Sequence, residues 1–220
     1  AADGAPVLLW LCEPCNPTGR SLPETFWLKL ARRLSAGSNC IVAIDRAYEP
    51  LRLHGTDPVA PELAARCWQL YSPNKALGLT GVRAGWVLAP EEDVLDLLPA
   101  LWRLAPSWVL SAEGVSLLSQ WPSAAVQNWL AHARATLGTW MAQQQAALSG
   151  RGWVHQASCT NFTLSRHPDL DEPALNALNA CLRSQGIKWR DAGNLGLPGW
   201  VRWRAHQPVA QETLLQALDQ

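Results

Sequence analysis

Lys75 stands in the run Ser72-Pro73-Asn74-Lys75-Ala76-Leu77-Gly78-Leu79-Thr80-Gly81-Val82-Arg83-Ala84-Gly85. A serine three residues before a lysine and an arginine eight after it, set among glycines, suit an aldehyde cofactor that carries a phosphate. A lysine amine attacks an aldehyde only when neutral, so such a residue needs a depressed pKa or must be held as an imine. The Ser72 hydroxyl can donate to a phosphate oxygen. The Arg83 guanidinium offers a planar fork of donors where a lysine offers a point charge. Taken singly, these are a solvated loop lysine, a turn serine and a surface cation. Their company at this spacing favours the site.

Two further signals precede this run, Asn16-Pro17-Thr18-Gly19 and Asp45-Arg46-Ala47-Tyr48. Asn-Pro-Thr-Gly alone is a good turn. Asp45 closes the apolar run Cys40–Ile44, and a carboxylate there is costly unless paired; capping a turn is its plain alternative. Near the C-terminus, Gly196-Leu197-Pro198-Gly199-Trp200-Val201-Arg202 leads into a strand on which Arg202 and Arg204 share a face. Arg190 is a third basic candidate in the same region.

The elements that must position these residues alternate. Val7–Leu11, Cys40–Ile44, Cys67–Tyr71 and Gly85–Leu88 read as strands. A helix opens at Ser21-Leu22-Pro23-Glu24, with Ser21 or Leu22 near the cap and Pro23 in the first turn, and is expected to run to about Ala36 and end at Gly37. Glu91–Leu104 reads as a helix with acidic residues in its first turn, where the helix dipole favours them. Such alternation predicts an α/β fold with a mostly parallel sheet, whose ligand crevice lies beyond the carboxyl ends of the strands. Asn16, Asp45, Ser72 and Lys75 all follow strands in that sense. Beyond Ser111 the texture changes. A long helix over Ser123–Ser149 leads to short strands at Trp153–His155, Phe162–Leu164, Lys188–Arg190 and Trp200–Arg204, with helices at Glu172–Gln185 and Gln211–Leu218. This is a smaller α+β unit, and the domains are expected at 1–120 and 121–220.

Eighteen basic and eighteen acidic residues give a formal net charge of zero, which argues against a nucleic-acid binder working through a basic surface. No stretch carries the ~20 apolar residues a membrane span needs. Cys12-Glu13-Pro14-Cys15 is a CxxC, but no second pair of ligands accompanies it for a metal site. The other cysteines lie in or beside apolar segments and read as reduced thiols of a cytoplasmic protein. Thirteen tryptophans without a repeat period read mostly as core or interface packing.

Taken in order, Asn-Pro-Thr-Gly, Asp-x-x-Tyr and Ser-x-x-Lys with Arg83 resemble the class I/II pyridoxal-phosphate-dependent aminotransferases. The chain is closest in flavour to the branch of histidinol-phosphate aminotransferase and threonine-phosphate decarboxylase. The resemblance runs from Val7 to about Ala217 and implies the fold-type-I transferase architecture, a partial large domain with a small C-terminal domain. It implies pyridoxal 5'-phosphate as cofactor, with Lys75 as the catalytic Schiff-base lysine. Asp45 would face the pyridine nitrogen, Asn16 and Tyr48 the phenolic oxygen, and Ser72 and Arg83 the phosphate. Arg202 would hold the substrate α-carboxylate. Amino acid and 2-oxo acid partners and a homodimer follow from the same resemblance.

The sequence departs from the family at two places. Arg46 stands where relatives have Glu, and Asn74 stands where many have Ser or Gly before the lysine. The resemblance also implies a longer chain ahead of Val7, carrying the helix N-terminus that cups the phosphate and the ring that stacks on the pyridine. The expectation is therefore little activity and limited stability from these 220 residues alone. Transamination is the favoured reaction; the alternatives are a threonine-phosphate decarboxylase-like enzyme, an aminotransferase-like effector domain of a transcription regulator, or an inactive fragment.

Overall fold

The computed structural model describes residues 6–34, 39–92 and 95–220. The chain divides into two compact units. The first comprises residues up to Cys15, Ser21–Leu51 and Gly55–Leu130; the second comprises Asn16–Arg20, Arg52–His54 and Ala131–Gln220. No helix of the described residues is long and apolar enough to cross a membrane.

The first unit is built on a four-stranded sheet in the order β1 (Val7–Cys12), β2 (Cys40–Asp45), β3 (Trp68–Tyr71), β4 (Trp86–Leu88). The first three strands run parallel, with Val7 opposite Cys40 and Ala43 opposite Trp68. β4 returns antiparallel, Tyr71 opposite Trp86. The central strand reads Cys-Ile-Val-Ala-Ile-Asp and buries Val42, Ala43 and Ile44, the near-continuous apolar run expected of a parallel strand covered on both faces. Helix α1 (Glu24–Arg33) covers one face by placing Trp27 and Leu30 against Val42 and Ile44, with Leu63 of the short α2 (Pro61–Ala64) and Cys67 completing the cluster. Each such large apolar side chain contributes about 1.5–3 kcal/mol on burial.

Pro23, expected inside the first turn of α1, is instead its N-cap residue, and no side chain caps the helix. The predicted end at Ala36 and Gly37 falls outside the described residues. A larger correction concerns Glu91–Leu104. The helix there, α3, covers only Leu97–Leu104, and no acidic residue lies in its first turn. Pro99 is the physical reason. Inside a helix begun at Glu91 it would lack the N–H for its own hydrogen bond and clash with the preceding turn. Starting at Leu97 puts it in the first turn, where that N–H is not needed. The Glu91 N–H donates instead to the Ala65 carbonyl at 2.8 Å. α4 (Ala112–Gln120), capped by the Ser111 hydroxyl at Gly114 N, was not foreseen.

α5 (Ala124–Ser149) leads into the second unit. Its sheet, in the order β5 (Val154–His155), β6 (Phe162–Arg166), β8 (Val201–Arg204), β7 (Arg190–Asp191), is antiparallel throughout. α6 (Glu172–Ser184) and α7 (Pro208–Leu218) bury Leu175, Leu182 and Leu214 in one cluster with Leu148, Val201 and three tryptophans. Trp153, Trp189 and Trp203 meet edge to face with ring centroids 5.4 to 5.8 Å apart, the geometry that the ring quadrupoles favour. The expectation of packed tryptophans holds here and at Trp27 and Trp68, whereas Trp102 and Trp108 are 70% and 91% exposed.

Candidate active site

The carboxyl ends of β2 and β3 open onto a cavity of about 280 Å³ in the first unit. Asp45, Ser72, Asn74, Lys75, Thr80 and Arg83 line it, together with Ala47, Leu70 and Tyr71. Four residues singled out from the sequence, Asp45, Ser72, Lys75 and Arg83, thus share one crevice. The strand order explains the convergence. Asp45 ends β2 opposite Leu70 of β3, and β3 then releases the chain directly into the Lys75 loop.

Each side chain is held by local bonds. The Asp45 carboxylate accepts from Ala47 N at 2.8 Å, fixing the turn that follows, and its carbonyl accepts from Glu13 N at 3.0 Å. The capping role weighed for Asp45 is therefore present, on the rim of the cavity. Lys75 is exposed, with its Nζ 5.0 Å from the centre of the Tyr48 ring, a cation–π approach that holds the amine above the phenol. Arg83 Nη1 donates to the Thr80 carbonyl at 3.5 Å. The Ser72 hydroxyl donates to Asn74 Oδ1 at 2.6 Å and lies 3.4 Å from the Ala84 carbonyl. Gly85 is required by close approach, because a Cβ there would sit 2.7 Å from the Tyr71 carbonyl.

Arg46 is a residue whose role the sequence left blank. Its side chain is fully buried, pairs with Asp57 at 2.8 Å and donates to Gln69 Oε1 at 3.2 Å. The Tyr71 hydroxyl donates to the same Gln69 oxygen at 3.1 Å, and the Tyr71 ring stacks on Trp86. Burial pushes the Tyr71 phenol above its ordinary pKa, with the Arg46 cation opposing. The buried Arg46 cation is thus matched by two acceptors, Gln69 inside the fold and Asp57 toward its surface. A charged residue at a strand end, with a glutamine inside the next strand, was the available signal. Thr80 was also missed; its exposed loop position offered none.

Asn16 and Arg202 belong to the second unit. Although 186 positions apart, they bond directly, the Arg202 guanidinium donating to Asn16 Oδ1. Arg202 also lies over the Phe162 ring at 5.1 Å. The Asn-Pro-Thr-Gly turn is anchored there because the Gly19 carbonyl accepts from Cys159 N at 2.7 Å. Gly19 has φ +69°, and a Cβ would collide with Ser158, so only glycine closes this turn. Arg202 and Arg204 sit on the less buried face of β8, while Val201 and Trp203 are buried, as the period of two requires. Arg190 of β7 is the direct cross-strand neighbour of Arg202.

None of the six cysteines is in a disulfide. Burial, with Asp45 and Cys15 adding to it, raises the Cys12 thiol pKa, and burial takes Cys67 to about 11. Both are poor nucleophiles at neutral pH. Among the described residues no group of His, Cys, Asp and Glu is placed to hold a metal ion.

Comparison with known proteins bears on the family and the fold. The family model for aminotransferase class I and II matches residues 1–218. A histidinol-phosphate aminotransferase of Ruegeria pomeroyi is 31% identical over 201 residues, covering 89% of this chain and 52% of that protein. The chain spans about half the length of the curated relatives it matches. In solved structures, the histidinol-phosphate aminotransferase of Clostridium acetobutylicum superimposes with a TM-score of 0.80 at 14% identity, over 96% of this chain and 62% of that one. L-threonine-O-3-phosphate decarboxylase of Porphyromonas gingivalis gives a TM-score of 0.69 at 24% identity, over 97% of this chain and 63% of that one. The structural likenesses establish the fold, a partial fold-type-I transferase with a mixed, mostly parallel sheet. The match of the family model establishes the rest: the chain belongs to the class I and II aminotransferases, a family dependent on pyridoxal phosphate.

Proposed function

We propose that this chain carries the lysine-bearing part of a pyridoxal-phosphate-dependent aminotransferase, acting on an amino acid or amino-phosphate with a 2-oxo acid as acceptor. The observation that carries the reading is the single crevice lined by Asp45, Ser72, Lys75 and Arg83. Its donor set fits the cofactor: one amine for an aldehyde, a carboxylate for a ring nitrogen, and a guanidinium beside a threonine hydroxyl for a phosphate. When bound, the cofactor supplies an aldehyde that condenses with amines and a ring that accepts electrons from the substrate Cα.

The chain's own residues do the remainder. Lys75 would hold the cofactor's aldehyde through its amine and would be the acid and base that moves a proton at the substrate Cα. The Asp45 carboxylate would hold the ring nitrogen and favour its protonated form. Asn16 and the Tyr48 hydroxyl would face the phenolic oxygen. Arg83 and the Thr80 hydroxyl would hold the phosphate, with Ser72 beside them in the same crevice. Arg202 would take the substrate carboxylate as a bidentate pair. Arg190 is the cross-strand partner of Arg202, so β7 and β8 bring two cationic residues next to each other, which supports a substrate bearing a second anionic group.

In this reading residues 1–120 belong to a large cofactor-binding domain and 121–220 to a small one, and the protein works as a homodimer. Six reduced cysteines support a cytoplasmic setting. Decarboxylation is the rival reaction on the same residues. The curated relatives at 31% identity are aminotransferases, whereas the likeness to a decarboxylase at 24% identity speaks for fold alone. A panel of amino donors, including amino-phosphates, offered to the cofactor-loaded aminotransferase of which this chain is the lysine-bearing part tests the proposal. Stoichiometric formation of 2-oxo acid and pyridoxamine phosphate is the expected result. Release of carbon dioxide without 2-oxo acid would assign decarboxylation, and neither product from any donor would refute both.

A further inference from the structure

We propose that Asn74 takes the proton of the Ser72 hydroxyl, so that Ser72 does not donate to the cofactor phosphate and Thr80 and Arg83 carry that contact. The inference rests on the cofactor reading above for its ligand, but its core is a statement about hydrogen bonds within the loop.

Asn74 is 4% exposed, and both ends of its amide are engaged. Oδ1 accepts from Ser72 Oγ at 2.6 Å. Nδ2 donates to the Leu79 carbonyl at 3.3 Å. The main chain closes the same loop, Leu79 N donating to the Asn74 carbonyl at 2.9 Å. An amide can be turned over to exchange its oxygen and nitrogen. Here the exchange would set the amide oxygen against the Leu79 carbonyl, two acceptors face to face in a buried position, and forfeit a bond there. The Leu79 carbonyl therefore fixes Oδ1 toward Ser72.

A serine hydroxyl has one proton to give. The two protein partners of Ser72 Oγ, Asn74 Oδ1 and the Ala84 carbonyl, are both acceptors, and the short bond to Asn74 holds the proton. What Ser72 offers the cavity is a lone pair, which a phosphate dianion cannot use. Thr80 and Arg83 also line the cavity and retain donors for it. Glycine in place of Asn74 has no side-chain oxygen and serine carries its oxygen one bond closer to the main chain, so the Asn74 amide is what reaches Ser72 and reassigns the phosphate contacts. Asn74 is in this sense a positioning residue, acting through Ser72.

The test is a double-mutant cycle on the 220-residue chain with two readouts. In the first, pyridoxal phosphate is titrated spectroscopically into native chain, Ser72→Ala, Asn74→Ala and the double variant, and again with Asn74→Asp, which keeps an acceptor for Ser72. Ser72→Ala is expected to weaken binding less than about threefold in the native and Asn74→Asp backgrounds. In the Asn74→Ala background, where the hydroxyl is released, it is expected to weaken binding about tenfold or more, as loss of a bond to a charged group does. A tenfold loss from Ser72→Ala in the native chain would overturn the proposal.

The second readout is the thermal midpoint without ligand. Ser72→Ala should lower it by about 2–4 °C in the native chain and by nothing further once Asn74 is alanine. Additive midpoints would overturn the proposal. Non-additive midpoints in a chain that binds no pyridoxal phosphate would uphold the captured hydroxyl and refute the cofactor reading, so the two failures are distinct.

Discussion

The two sheets solve opposite problems. The antiparallel sheet of the second unit closes around Trp153, Trp189 and Trp203, each at most 6% exposed, and two helices seal it. The mainly parallel sheet of the first unit has a dry centre at β2 but leaves Leu8 and Trp10 on β1, Val87 on β4 and Trp102 on α3 in solvent. Yet it is the first unit that gathers Lys75, Asp45, Ser72 and Arg83 into a crevice. Parallel strands deliver several chain ends to one edge, so chemistry collects there. The antiparallel sheet spends its residues on packing and offers cations from one strand face. The contrast separates stability from chemistry: substitutions in the second unit should act on folding, and those around the crevice on ligand.

The strongest blow to that contrast is Trp203→Ala. Removing one ring of the triad should destabilise the second unit by about 3–5 kcal/mol. Hydrogen exchange should show protection lost over β6, β8 and α6 but retained over β2 and β3. Equal loss in both sheets would erase the distinction. Arg46→Ala comes next, at about 3 kcal/mol, because it strips Asp57 and Gln69 of a buried partner. Asp57 is part-exposed, which places the cost at the low end. Loss of protection should centre on β2 and β3, the reverse pattern. Asp171→Ala removes the cap that accepts from Ala174 N at 2.9 Å and should cost α6 about 1 kcal/mol.

The smallest effect is of pH. Burial lowers the pKa of His155 and of His206, the latter with help from Arg204. A histidine whose folded pKa lies below its unfolded one stabilises the fold fully only while both states are neutral. The second unit should therefore lose stability as pH falls below about 6.5. His155→Gln should flatten that slope. An unchanged slope would mean that other groups set it.

Most strands were legible in the sequence because their apolar runs are short and bounded by turn residues. β2, Cys40–Asp45, differs from expectation by one residue. The site was legible for the same reason, since Asp45 and Ser72 follow strands whose order the alternation implied. Helix α3 was misread because the acidic residues at 91–92 looked like a dipole signal, while Pro99 set the true start. The roles of Arg46 and Asn74 were hidden because they depend on partners brought in by folding. Asp57 and Gln69 are 11 and 23 positions from Arg46, and no local pattern encodes that meeting. The bond between Asn16 and Arg202 is the extreme case, joining residues 186 positions apart.

The central claim is that the amine of Lys75 takes a phosphorylated pyridine aldehyde in a crevice that supplies its counter-charges. The direct measurement is borohydride trapping of the chain with pyridoxal phosphate, followed by peptide mapping. The account predicts one dominant label, on the peptide containing Lys75, absent in Lys75→Ala and weakened when Arg83 is alanine. Label spread over Lys29, Lys75 and Lys188 alike, or undiminished in Lys75→Ala, would contradict it.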